Sequence, residues 1–386
     1  MRGLFYHFSP AKDIGHGVHL FRLAESLASG GKAELVLLRD ADVSYPPASS
    51  WKYGPVLTLP RIQLRSNAVR SRKISAAMRA LAPDFLVTAF FPFGRTACAA
   101  EIEPVLREAR RGKLKVYSTV PMPYFTHNEG ALPELFRFAE FYDRIFIHSP
   151  FGYDLRFMAA AVSIEKRVSA ASFAHVFKEL KEKLCFTGYV LPKNKPRRPA
   201  GRGGKFILVH RVCGPTSPGI VTCAILAKKL LRSRLPMVIV SGPSSTAAEM
   251  SLWRGLIRTS ALKDVRLLKT TPDFFKMLSG CAVSAGTAGG TVYEALYLNR
   301  RSVLIPFKGS PGAERSDQLA RAAMLRDLAG AAVLDYNALT PARLAAAIDG
   351  ALKDASPGFA PPPEVFSGAE VFASVVRRDM EEAGPV

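Results

Sequence analysis

The feature that most restricts the fold of this 386-residue chain is an alternation, run through twice, of short apolar segments with segments of helical period. Leu4 to Phe8 is strand-like, Ser9 to Gly17 is a loop with two glycines, and Val18 to Ala28 carries Leu20, Leu23, Ala24 and Leu27 at helical spacing before Gly30-Gly31 stops it. A second strand, Glu34 to Leu38, follows. Strand, glycine loop, helix, strand is the unit from which a doubly wound parallel sheet is built. The pattern continues with a strand at Val56 to Leu59, a basic helix from Asn67 to Leu81, the strand Phe85 to Phe90 and a helix from about Thr96 to Arg110. Strand Leu114 to Thr119, helix Pro133 to Phe141, strand Arg144 to His148 and a helix after Pro150 extend it, and Cys185 to Val190 closes this half as its last strand.

Leu191 to Gly204 interrupts the alternation with Pro192, Pro196, Pro199, three glycines and a run of basic residues, which reads as a linker. The alternation then restarts. Phe206 to Val209 is a strand, His210 to Gly219 a Gly/Pro-rich loop, Ile220 to Leu231 a helix, and Met237 to Ser241 and Val265 to Leu268 are strands. Pro272 to Leu278, strand Ser302 to Pro306, helix Asp317 to Ala329 and strand Ala332 to Leu334 complete the second half. The fold class is therefore α/β, with domains expected over 1–190 and 205–355, a linker over 191–204 and a tail over 356–386. In the tail, Val365, Phe366, Ala369, Phe372, Val376 and Met380 line one side of an amphipathic helix.

Composition excludes some functions. No apolar run approaches the roughly 18 to 20 residues of a membrane span, and the N-terminal apolar run is too short for a signal peptide, so the chain is expected in the cytoplasm. Cys98, Cys185, Cys213, Cys223 and Cys281 are scattered, with no C-x-x-C pair and no histidine at metal spacing, and read as reduced small hydrophobes. The net charge of +21 points to an anionic partner, whether nucleic acid, an anionic membrane face or a phosphorylated small molecule. The basic clusters lack the interleaved aromatics of a base-stacking platform, and no DNA-binding signature is present, so nucleic acid is not expected.

One stretch carries chemistry. Ser284-Ala-Gly-Thr-Ala-Gly-Gly-Thr-Val-Tyr-Glu294 leaves an apolar strand end and enters a helix, with Gly286, Gly289 and Gly290 removing side chains that would keep a ligand off the backbone. Thr291 supplies an N-cap hydroxyl or a ligand contact, and the helix start from Val292 offers N–H groups to an anion. Glu294 would repel a phosphate it touched, but it suits the hydroxyls of a sugar beside one. The plain structural reading is a Gly-rich strand-to-helix turn with an ordinary first-turn acid.

The second half resembles the two-domain glycosyltransferases called GT-B. It is closest to the C-terminal domain of the bacterial family that adds N-acetylglucosamine to lipid-linked peptidoglycan precursors, and to uncharacterised predicted glycosyltransferases related to it. The residues that carry the resemblance are Ala285 to Glu294, Val303-Leu-Ile-Pro306, Asp317-Gln318 with Arg321-Ala322, and Gly330 to Leu334 with Leu339-Thr340. It covers roughly Phe206 to Gly350. The family's usual glycine three residues before the threonine is Ala288 here, so the resemblance leaves open which glycine meets phosphate.

The resemblance implies two Rossmann-like domains facing a cleft, an acceptor-side domain first and a nucleotide-sugar-binding domain second, with the C-terminal helix packing back on the first. It implies that Glu294 holds the ribose of a UDP-type donor, that Gly289, Gly290 and Thr291 approach the diphosphate, and that Asp317 and Gln318 hold donor-sugar hydroxyls. Asp317 and Gln318 also read as an ordinary helix start. In the first half, Ile14-Gly15-His16-Gly17 with Arg22 and Leu27 resembles the family's first glycine loop, which makes His16 the candidate base for the acceptor hydroxyl. Phe91 to Arg95 with Glu101 and Glu103 also looks like the predicted transferases, and His148-Ser149 sits at a strand end facing the same side, so that each could line an acceptor pocket. Arg211 and Gly214 after the first strand of the second domain, and Gly242 after the next, face the phosphate side by position, and Arg211 could fork onto the leaving diphosphate. A surface arginine beside a turn is the competing reading.

The expected activity is metal-independent, inverting sugar transfer from a nucleotide-diphosphate sugar to a hydroxyl acceptor, with no cofactor beyond that substrate. A UDP-sugar epimerase of the same fold, or a non-catalytic basic protein on membrane or nucleic acid, are the alternatives. The basic surface would suit the inner membrane face.

Overall fold

The computed structural model describes residues 1–8, 14–31, 33–41, 43, 46–61, 67–150, 155–164, 167–199, 201, 203–211, 217, 219–307, 309, 310, 313, 314, 316–354 and 361–383. Cys213, Gly214 and the expected domain limit at 355 lie outside them. The chain divides into two compact units, one of residues Met1–Lys193 with Glu364–Val386 and one of Asn194–Pro363.

The first unit contains β1 (Arg2–His7), α1 (Ile14–Ala28), β2 (Glu34–Asp40), β3 (Val56–Leu59), α2 (Asn67–Leu81), β4 (Phe85–Ala89), α3 (Ala99–Arg111) and β5 (Lys115–Val120). It continues through α4 (Leu132–Ala139), β6 (Arg144–Ile147), α5 (Leu155–Ile164), α6 (Ala170–Glu179) and β7 (Leu184–Phe186). Its seven strands are parallel in the order β3-β2-β1-β4-β5-β6-β7. The order reverses between β1 and β4.

The second unit has β8 (Ile207–His210), α7 (Gly219–Ala227), β9 (Met237–Val240), α8 (Ala247–Thr259), β10 (Val265–Leu268), α9 (Phe274–Gly280), β11 (Val283–Gly286) and α10 (Thr291–Tyr297). Then come β12 (Arg301–Leu304), a hairpin of β13 (Gly309–Ser310) and β14 (Ala313–Glu314), α11 (Ser316–Ala329), β15 (Ala332–Val333) and α12 (Pro341–Lys353). Six parallel strands run β10-β9-β8-β11-β12-β15, and here the order reverses between β8 and β11. In open parallel sheets these reversal points, at the carboxyl ends of the strands, are where ligands bind.

Each unit has its own apolar core. In the second, Val209, Ile239, Val283 and Val303 of the sheet pack with Ile220, Trp253, Leu344 and Ile348 of the helices. In the first, Phe5, Leu37, Phe85, Val87, Tyr117 and Phe146 meet Leu20, Leu23 and Leu27 of α1. The tail helix α13 (Gly368–Ala383) adds Phe372, Ala373 and Val376 to that same core. It therefore packs back on the first unit as expected. Arg377 donates to the carbonyls of Ser26 (3.0 Å) and Leu27 (2.8 Å), capping the C-terminus of α1. Gly30 leaves the space the guanidinium occupies, since a Cβ there would fall 2.2 Å from it.

Three helices, α6, α8 and α12, stand where the apolar pattern gave no helix, and each starts with a side-chain cap. Ser169 accepts from Ser172 N, Thr340 accepts from Arg343 N, and Thr246 and Glu249 form a reciprocal capping box. Helix α1 also begins earlier than the sequence suggests, so Gly15, His16 and Gly17 are its first turn and not a loop. Gly17 permits this close entry, because a Cβ there would come within 3.1 Å of the His7 ring and of Pro46.

Below the first sheet's carboxyl ends lies a fully buried charged cluster. Arg70 donates through Nε to Glu101 (2.7 Å) and through Nη2 to Asp40, while Tyr6 donates to Glu101. Glu101 is thus a core residue rather than a pocket-lining one, and Glu103 pairs on the surface with Arg107 and Arg137. Asp40-Ala41-Asp42 has the spacing of a metal-binding acid pair, but the Asp40 carboxylate is taken by Arg70, and Asp42 lies outside the described residues. Phe91 packs on Phe138 and Phe93 on Phe125 and Phe177, so this segment builds an aromatic core.

Candidate functional site

The glycine stretch sits at the reversal point of the second sheet. Strand β11 pairs with β8 so that Gly286 lies opposite His210. Gly286 has to be glycine: a Cβ would lie 2.2 Å from the His210 carbonyl and 2.7 Å from its ring. The ring fills that space edge-on to Phe274, with Nε2 3.1 Å from Ser284 Oγ, and burial pushes its pKa down to about 4, which keeps it neutral.

From Gly286 the chain turns through Thr287 and Ala288, both fully buried, to Gly289, which is buried, and Gly290, which is exposed. A Cβ at Gly290 would meet nothing within 4 Å, so the glycine there leaves the backbone open on its outer side. Val292 N and Tyr293 N close back on the carbonyls of Gly289 and Gly290, both at 3.2 Å, and those two N–H groups serve the turn itself. Thr291 is half-buried as the first residue of α10, and Glu294, one turn in, is only 4% exposed.

Asp317 and Gln318 form the first turn of α11, as their capping character suggested. Gln318 is buried, and its Oε1 accepts from Phe307 N at 2.9 Å, fixing the chain as it leaves β12. Asp317 Oδ2 accepts from Arg321 Nη1 at 2.9 Å. The same Nη1 reaches the carbonyl of Ala288 (3.1 Å), and Arg321 Nε reaches the Tyr293 hydroxyl (3.2 Å). The turn, α10 and α11 are therefore tied at one guanidinium. Sequence reasoning passed over its role; the signal available was Arg321 four residues after Asp317, the spacing of a helical ion pair.

Arg211 is not a surface arginine. It is 4% exposed and donates to the Ser241 carbonyl (2.9 Å), to Ser245 Oγ (3.0 Å) and to Glu249 (3.4 Å), with its guanidinium over Trp253. It braces the turn after β9 that contains Gly242, whose φ of +91 favours glycine. Three of its N–H groups are already engaged by protein.

In the first unit, Gly15, His16 and Gly17 follow β1, at that sheet's reversal point. Gly15 is exposed, and His16 is half-buried with its ring 4.9 Å from Phe90, the residue after β4. Phe90 stacks in turn on Tyr124 (5.9 Å, 7°). One turn along α1, the His19 ring lies 4.5 Å from His148, the residue after β6. His148 Nδ1 is bonded to Thr187 Oγ1 at 2.8 Å, and the Thr187 hydroxyl lies within donating distance of the Gly188 carbonyl, 3.1 Å away. Among the described residues, neither Nε2 of His148 nor the enclosed Nε2 of His19 has a hydrogen-bond partner. Burial drives both pKa values down, that of His148 to about 3, and for His19 the neighbouring His148, His16 and Arg22 add to the effect.

No family model and no curated protein sequence matches the chain. Solved structures do. MurG of Acinetobacter baumannii aligns over 98% of this chain and 100% of its own with a TM-score of 0.59 at 14% identity. The glycosyltransferase of kitacinnamycin gives 0.61 at 14% identity over 98% of both chains. The UDP-GlcNAc 2-epimerase of Methanocaldococcus jannaschii, solved with UDP-GlcNAc and UDP, gives 0.56 at 10% identity over 98% of this chain and 99% of its own. At these identities the likeness establishes the fold, two Rossmann-like domains of the GT-B kind. Among the described residues no helix is long and apolar enough to cross a membrane.

Proposed function

We propose that the chain is a metal-independent, inverting glycosyltransferase that moves a sugar from a nucleotide-diphosphate donor, with uridine as the nucleoside, to a hydroxyl acceptor. The observation that carries this reading is the gathering of the open glycine turn, the buried Glu294 and the first turn of α11 at the reversal point of the second sheet. Glu294 would hold the ribose hydroxyls, and Gly289, Gly290 and Thr291 would meet the diphosphate as its charge grows on departure. The open oxygen of Asp317 and the amide of Gln318 would reach the sugar. Arg211, with Gly242, would act by shaping the adjoining turn rather than by forking onto phosphate. In the first unit, His16 would take the acceptor's proton during attack on the anomeric carbon, with its imidazole packed at a 35° tilt against the Phe90 ring.

The test begins with a titration of uridine diphosphate against the intact protein, which should raise the melting temperature by linkage. Glu294→Ala should weaken that response; an unchanged response would remove the ribose assignment. Turnover of UDP-sugars is then measured with and without hydroxyl acceptors. Epimerised nucleotide sugar formed without any acceptor would make the chain an epimerase instead. His16→Ala should abolish transfer and leave donor binding intact. Retained transfer in His16→Ala would remove His16 as the base.

A further inference from the structure

We infer that Arg321 is a positioning residue of the donor site, which sets the glycine turn in place and neutralises Asp317 so that a carboxylate can stand beside the diphosphate. The inference rests on the donor reading above. A turn that meets an anion through its backbone works only if the backbone is fixed beforehand, because the N–H groups must already point inward when the charge arrives. In this turn Ala288 is fully buried, and its carbonyl is held by a residue 33 positions away, Arg321 on α11. The same side chain, only 9% exposed, bonds the Tyr293 hydroxyl next to Glu294 and forms the ion pair with Asp317, and its guanidinium lies 5.9 Å from the Tyr293 ring centre. The phosphate, ribose and sugar groups of the proposed site therefore share one fastening.

The charge has a second consequence. Asp317 is 22% exposed at its side chain and belongs to the same cluster as the turn, so without a cation it would oppose a diphosphate there. Paired with Arg321 it presents acceptor oxygens at little electrostatic cost. Removing Arg321 would leave the buried Ala288 carbonyl without its partner and, separately, an uncompensated carboxylate. Only the second defect can be relieved by removing the carboxylate.

The experiment is a two-residue cycle. Binding of UDP and of a UDP-sugar is measured by calorimetry for wild type, Arg321→Met, Asp317→Asn and the double variant, with the nucleotide-free melting temperature of each as the measure of structural damage. Arg321→Met should weaken UDP by about tenfold or more. The double variant should recover about threefold or more of that loss, a gain that repair of packing cannot give. Asp317→Asn alone should weaken the UDP-sugar more than UDP. Arg321→Lys, which keeps the charge but not the fork, should fold and bind between wild type and Arg321→Met, and it replaces Arg321→Met in the cycle if the latter is unfolded. Arg321→Met binding UDP within about twofold of wild type, or a double variant no better than the single one, overturns the inference. Failure of wild type to bind any nucleoside diphosphate would instead overturn the donor reading beneath it.

Discussion

Replacing Phe372 by alanine should destabilise the first unit and leave the second unchanged, because the tail helix belongs to the first unit's core. Phe372 is fully buried, with its ring 4.8 Å from Phe146 at 74° and 6.2 Å from His148. Truncating a ring so enclosed costs about 3–5 kcal/mol, through lost burial and the cavity left behind. In a unit of this size that is a fall of roughly 6–20 °C in its melting temperature. The chain's two tryptophans make the assay unit-specific. Trp51 is buried in the first unit against Phe5 and Phe21, and Trp253 is buried in the second, donating to Thr222 Oγ1 at 3.0 Å. Urea melts of Phe372→Ala in Trp253→Phe and Trp51→Phe backgrounds then report one unit each. A shift below about 1 kcal/mol at Trp51, or an equal shift at both reporters, would refute the placement of the tail in the first core.

Two further outcomes use the same reporters. Arg70→Met strands the buried carboxylates of Glu101 and Asp40 and should cost the first unit about 3–5 kcal/mol in a urea melt, with part of the loss restored by adding Glu101→Gln; a loss under about 1 kcal/mol would show that the cluster is not buried as described. Burial holds the pKa of His148 near 3 and that of His210 near 4, whereas the unfolded chain takes up these protons near pH 6.5, so stability is complete above that pH and falls as pH drops toward the folded values. Each should cost about 2 kcal/mol in all between pH 6 and 4, read at Trp51 for His148 and at Trp253 for His210, and removed by asparagine at the histidine.

The alternation of strand and helix was legible because parallel strands buried on both faces, such as β4 and β8, read as continuous apolar runs; the edge strands β3 and β10 and the helix α2 also begin and end where the pattern says. What the pattern missed was set by polar caps. Helix α8 has buried Met250 and Trp253 but a largely exposed surface, with Leu252 66% exposed, so its apolar stripe is thin and Thr246-x-x-Glu249 is the stronger signal. The early start of α1 depended on room for His7 beneath Gly17, a long-range contact that no local window contains. The glycine turn was legible as a strand-to-helix junction. Which of its glycines is sterically required was not, since the need for Gly286 comes from His210, 76 residues earlier and brought alongside only by strand pairing.

The two arginines beside the second reversal point show why charge alone misleads in such a site. Arg211 and Arg321 each neighbour a glycine-bearing turn, and both would pass as a partner for a diphosphate. Their donors support another use. Those of Arg211 go to Ser241, Ser245 and Glu249, so it stiffens the turn that holds Gly242. Those of Arg321 go to Ala288, Tyr293 and Asp317, so it stiffens the turn that holds Gly289 and Gly290. A buried cation used this way would not have to touch the anion; it fixes the backbone whose N–H groups would, and its own charge is already balanced by Glu249 or Asp317. Affinity for a diphosphate would then depend on how rigidly these turns are held. The net charge of +21, carried mostly by exposed side chains and screened by salt, would contribute little to it.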